Sequence, residues 1–142
     1  MIAYNAQTSY NQYRENSVAH AKPEELTLML YNGLVKFIMR AQDSIRGNRI
    51  EEAHNNIVKA QNIVLEFMNT LDHSIEVSSS LELLYDYLYR RLLDANIKKS
   101  DAILEEVLGF SKDLRDTWEK AMKIAKTSQT ATQTTQPVAS AQ

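Results

Sequence analysis

Glu51-Glu52-Ala53-His54 sets a glutamate three residues before a histidine, half of the Glu-x-x-His signature with which di-iron four-helix bundles hold their metals. A complete site needs a second Glu-x-x-His and two further inward glutamates. Neither His20 nor His73 has a glutamate three residues before it. At 3.6 residues per turn, His54 also falls about 100° from the apolar face of its own helix, which predicts a surface position. Gly33, Gly47 and Gly109 are isolated and form no phosphate-cradling loop. With no cysteine, the chain has no thiolate nucleophile, disulfide or Cys-bearing metal site. The predicted core faces are apolar and offer no carboxylate or histidine for acid–base work. The chain is therefore expected to carry no catalytic residue, metal or cofactor, and not to be an enzyme.

Bulk properties narrow the class further. A chain of 142 residues, 44% hydrophobic and 24% charged, suits one folded domain. Three glycines and two prolines, Pro23 and Pro137, are too few for the turns of a sheet-rich fold. A formal charge of −2 and a pI near 5.9 lack the footprint of a nucleic-acid binder. Arg90-Arg91 and Lys98-Lys99 read as solvated charges. The start, Met1 to Gln7, has neither the basic opening nor the apolar run of a secretory signal, and no stretch is apolar enough for membrane insertion. A cytoplasmic location is expected.

The elements follow from hydrophobic spacing. Residues 1–21 form an N-terminal arm or short extra helix carrying Tyr4, Tyr10, Tyr13 and Val18. A first helix starts at Pro23, with Glu24 and Glu25 at its positive end, and runs to about Arg46. Gly47-Asn48 breaks it, and Asn48 with Glu51 reads as the cap of a second helix reaching about Leu71. Ser79 or Ser74 is expected to cap a third helix, and Asn96 to end it. Ser100 or Asp101 opens a fourth, to about Lys126. Residues 127–142, nearly all Thr, Ser, Gln and Ala, have nothing to bury and are expected to be a disordered tail. Residues 22–126 thus predict an all-α, antiparallel up-down four-helix bundle. Its expected seams are Leu26, Leu30, Gly33, Leu34, Phe37, Ala41 and Ile45; Ile50, Ala53, Ile57, Ala60, Val64, Phe67 and Leu71; Leu81, Leu84, Tyr85, Leu88, Leu92 and Ala95; and Ile103, Val107, Phe110, Leu114, Trp118 and Ala121.

Each helix has more apolar residues than its seam needs. On the second, Val58 and Leu65 fall roughly 120–140° from the seam, with Met68 nearby. The first carries Leu28, Val35 and Met39 opposite its seam, the third Leu83, Tyr87 and Leu93, and the fourth Leu108. Bundle helices often have wide apolar faces, and a few exposed leucines are ordinary. The arm could also cover such residues, or a second copy of the chain could. Recurrence on all four helices favours a protein whose outer grooves accept a partner's amphipathic helix.

Several stretches resemble one family. Tyr13-Arg14-Glu15-Asn16-Ser17-Val18, Pro23-Glu24-Glu25-Leu26 through Leu30-Tyr31-Asn32-Gly33, and Lys59-Ala60-Gln61-Asn62-Ile63-Val64 are similar to the flagellar secretion chaperones, FliS. So are Leu84-Tyr85-Asp86-Tyr87, Ala95-Asn96 and Leu114-Arg115-Asp116-Thr117-Trp118, in the right order over about residues 10–120. The resemblance implies a cytoplasmic chaperone that binds the disordered C-terminal region of flagellin, prevents its early polymerisation and delivers it to flagellar type III export gate components. By resemblance, Tyr13 and Val18 belong to an arm over part of the groove, and Ala60 and Gln61 to a client-binding pair. By geometry, Leu28, Val35, Val58, Leu65, Met68 and Tyr87 complete the expected client-binding set. Two departures stand out: Lys22 replaces a frequent Ser or Thr cap, and Asn32 replaces a frequent Asp. The alternative is a homodimeric four-helix structural or signalling module without a client.

Overall fold

Short connections decide the topology. The computed structural model describes residues 20–140, with side chains through residue 129. It contains α1 (Pro23–Arg46), α2 (Ile50–Thr70), α3 (Ser78–Lys98) and α4 (Asp101–Ser140). Residues 47–49, 71–77 and 99–100 are all that connect them, so each helix turns back on the one before. α1 packs on α2 and α4, and α3 packs on the same two, which closes the four into an up-down bundle. Among the described residues there is no strand.

The core runs from Ala41, Ala53 and Ala95 up through Leu34, Ile38, Ile57, Val64, Leu88, Leu92, Leu104 and Val107, all essentially without solvent access. Tyr31, Phe67 and Tyr85 stack across it, at centroid distances of 4.4 and 5.4 Å. The Tyr31 and Tyr85 hydroxyls meet at 2.7 Å, tying α1 to α3 across the bundle's diagonal. Further polar ties fix the register. Gln42 Nε2 donates to Glu105 at 2.7 Å and Arg46 pairs with Asp101 at 3.0 Å, between α1 and α4. His54 Nδ1 and the Asn96 amide are 2.8 Å apart, between α2 and α3. Trp118 Nε1 donates to the Glu24 carbonyl at 2.9 Å, holding α4 against the start of α1.

The expected seams of α2 and α3 hold, apart from an exposed Ile50. Those of α1 and α4 are rotated. On α1 the buried apolar residues are Tyr31, Leu34, Val35, Ile38 and Ala41, with Gln42 and Ser44 buried beside them, while Leu30, Phe37 and Ile45 are only partly buried. On α4, Leu104, Val107, Leu108 and Ser111 are buried and Phe110 is exposed. The flanks of α1 and α4 that were expected to face outward are turned towards each other.

Three caps differ from expectation. Asn48 does not cap α2; it takes a left-handed φ of 57°, which Asn tolerates better than most residues, and Arg49 precedes the helix. Arg49 instead braces the turn through Asp43 and Glu52, each at 2.7 Å. Asn96 stays inside α3, and the left-handed residue is Lys99, whose Nζ reaches the Asn96 side chain at 2.7 Å. Neither Ser74 nor Ser79 caps α3: Ser74 donates twice to Asp72 and closes a turn upstream. Ser100 does receive the Ile103 N–H, at 3.2 Å. The Lys22 side chain makes no cap hydrogen bond, yet the Lys22 N–H donates to Glu25 at 3.4 Å and the Lys22 carbonyl accepts the Leu26 N–H at 2.9 Å. α4 continues beyond residue 126 as helix to Ser140, and the described side chains from Lys123 to Gln129 are exposed.

Candidate docking surface

The α2/α3 pair leaves an apolar strip open. From the His54–Asn96 contact, antiparallel geometry at 1.5 Å rise per residue sets Val58 level with Leu92 and Leu93, Gln61 with Tyr89, Leu65 with Tyr85 and Asp86, and Met68 with Glu82. Tyr85 and Leu92 point into the core, so they give Leu65 and Val58 no cover on the outside. Leu65 remains 37% and Leu93 45% exposed; Val58 and Met68 are half-buried. The strip is about 15 Å long from Val58 to Met68 by the same rise. Outward of it, Asn55, Asn62 and Asn69 repeat at seven-residue spacing and are all exposed.

A second patch lies across α3, beside α4. Tyr87 packs edge-on against Phe110 at a centroid distance of 6.1 Å, and both stay more than a third exposed. The Tyr87 hydroxyl donates to Glu106 Oε1 at 2.6 Å, and Arg91 Nε reaches the same oxygen at 3.1 Å. Those bonds, Tyr87 first, hold the Glu106 carboxyl below its ordinary range; the Glu106 carboxylate in turn pushes the Tyr87 phenol up. Leu83, one turn before Tyr87, is largely exposed.

The predicted client-binding residues divide accordingly. Val58, Leu65 and Met68 come together, with Gln61 among them. Tyr87 lies on the other flank of α3. Leu28 is half-buried on the α4-facing side of α1, away from both. Val35, at 5% exposure, is core, because α1 turns that flank to α4; Leu108, at 4%, is sealed for the matching reason. Ala60 is fully buried and offers no surface. Gln61 is more than nine-tenths buried. Tyr13 and Val18 lie outside the described residues. Leu93 joins the strip although it was not in the predicted set; its distance from the α3 seam was the signal. Phe110 was missed because its spacing matches the α4 seam. His54 is exposed as expected and pairs with Asn96. Among the described residues no cluster of three or more His, Asp or Glu could hold a metal ion, and no helix is long and apolar enough to cross a membrane.

Fold and surface together define an all-helical bundle with apolar patches left open on its outer face. Known proteins give the particular family. Residues 5–125 match the family described as flagellar protein FliS. The flagellar secretion chaperone FliS of Bacillus subtilis is 48% identical over 117 residues, covering 82% of this chain and 88% of that protein. The FliS of Campylobacter jejuni is 32% identical over 114 residues, 79% and 89% of the two chains. A solved crystal structure of a bacterial flagellar chaperone superposes with a TM-score of 0.67 at 16% identity, over 83% of this chain and 98% of its own, and so shares the fold. The chain belongs to the FliS family of flagellar secretion chaperones.

Proposed function

We propose that this protein is a cytoplasmic, non-enzymatic chaperone that holds the disordered C-terminal segment of flagellin, keeps it from polymerising early and delivers it to the flagellar type III export apparatus. The observation that carries this is the open Val58–Leu65–Leu93 strip between α2 and α3. A disordered segment that folds onto such strips commonly buries on the order of 1,000–3,000 Å² and gives up several kcal/mol to ordering, so capture stays reversible. Release at the export gate then requires only that the client helices be unfolded or outcompeted. Membership of the chaperone family and the high identity to the Bacillus subtilis protein support the same function.

The test mixes the purified full chain with full-length flagellin and with flagellin lacking its C-terminal segment, reading complex mass by light scattering. A complex with the first and none with the second is expected. Equal binding to both, or to neither, overturns the proposal. A stable dimer indifferent to flagellin would instead make the protein a homodimeric module.

A further inference from the structure

Gln61 is the one strongly polar residue set between the apolar members of the α2/α3 strip. It is 8% exposed, one turn from Val58 on one side and from Leu65 on the other. Its amide has no hydrogen-bond partner among the described residues, not even the Tyr89 hydroxyl at the same level of the bundle. Neither amide atom is shut away from solvent, so the stem is packed while the polar tip opens into the strip. In the free protein that tip is open to water. A helix laid over Val58 and Leu65 displaces the water, and a purely apolar helix would leave the amide buried and unmet, at a cost of roughly five- to hundredfold in affinity. The bordering row of Asn55, Asn62 and Asn69 is uncharged as well, and so gives charged flanks on a partner nothing of opposite sign there.

We propose that Gln61 determines specificity on this strip: it hydrogen-bonds an amide or hydroxyl side chain set within the apolar face of the docked helix. The strip then selects a partner with apolar residues seven apart and an Asn, Gln, Ser or Thr three or four residues from the first. This rests on the helix-docking function proposed above and adds a sequence requirement to it.

The experiment measures binding of the full-length protein and its Gln61→Met variant to a synthetic C-terminal flagellin segment by calorimetry. It then repeats the measurement with each Asn, Gln, Ser and Thr of the segment changed singly to Ala. Methionine keeps the packed stem and removes the hydrogen bonds, and Gln61→Leu is a second such variant should the first fold poorly. Affinity is expected to fall about tenfold for Gln61→Met. One segment substitution should lower wild-type affinity similarly and cost the variant almost nothing further. If Gln61 serves only to pack, Gln61→Met binds as well or better and no substitution couples to it; the inference then falls while the docking function stands. If the wild type does not bind the segment, the docking function falls and takes the inference with it.

Discussion

Replacing Leu65 and Leu93 together by aspartate separates docking from folding. In the free protein these side chains keep 37% and 45% of their surface in water. Complete burial of a leucine is worth about 2–3 kcal/mol, so covering the remainder contributes about 1 kcal/mol each to a docked helix. The variant loses that and also places two carboxylates under the incoming apolar face, each costing about 1–3 kcal/mol or more to desolvate. A total of about 4 kcal/mol or more is a roughly thousandfold rise in Kd. The bundle itself loses the already buried portion of each leucine, about 1–2 kcal/mol apiece. That lowers Tm by roughly 5–15 °C for a domain of this size and leaves it folded at 25 °C. Calorimetric binding to the flagellin segment, beside melts followed by circular dichroism, checks both halves. A folded variant that binds within tenfold of wild type would refute the strip as docking surface. A variant unfolded at 25 °C would refute the exposure on which the strip rests.

Tyr85→Phe should destabilise by about 1–3 kcal/mol, because it leaves the Tyr31 hydroxyl buried without its partner at 2.7 Å. The Tyr31→Phe and Tyr85→Phe double variant should lose less than the two single losses added, and urea melts of all four proteins would show it. Burial raises the pKa of both phenols, Tyr31 with help from Tyr85. Their contribution to stability is therefore complete below the unfolded phenol pKa of about 10 and declines as pH rises above it, so a wild-type melt flat through that range would count against the buried pair. Glu106, held low chiefly by Tyr87, favours the fold above its unfolded pKa, and that contribution fades as pH falls through the lower folded value. Tyr87→Phe should move the Glu106 titration upward in an NMR series, and an unmoved titration would contradict the hydrogen bond. Gly109→Ala should stabilise by about 0.5–1 kcal/mol and raise Tm by a few degrees, since the added Cβ meets nothing within 4 Å in mid-helix.

Much of the fold is legible because helix period and turn residues act locally. The seam of α2, from Ala53 to Phe67, needs only 3.6-residue spacing to be found, and Ser100 needs only its place before a helix. Residues whose role depends on a neighbouring helix were harder. Val35 looks like a surface residue on a wheel drawn for α1 alone, because its burial comes from α4. Asn48 and Asn96 both carry cap chemistry, yet the left-handed position beside α3 falls to Lys99, whose ammonium reaches back to the Asn96 carbonyl at 2.6 Å. The Tyr31–Phe67–Tyr85 stack unites three helices, and no single helix pattern announces it.

Why Val35 and Leu108 are sealed between α1 and α4, where Met39 stays exposed, while Val58 and Leu65 lie open between α2 and α3 comes down to what stands opposite them. The Gln42–Glu105 and Arg46–Asp101 ties set α1 and α4 so that residue 39 is level with Leu108 and residue 35 lies one turn further along. Val35 and Leu108 are thus apolar residues on facing flanks within a turn of each other, and the helix pair closes over both. Opposite Leu65, the outward residue of α3 is Asp86, which is paired with Arg90 at 3.1 Å and supplies no apolar cover. Leu93 has Val58 near its level, and that accounts for Val58 being only half-exposed, but no apolar residue outward of Val58 completes the closure: the next positions are Asn55 and Asn62. An apolar count along one helix therefore cannot locate a docking strip. The axial level of polar residues on the neighbouring helix decides it, and along α2 and α3 those residues leave about 15 Å of apolar groove uncovered.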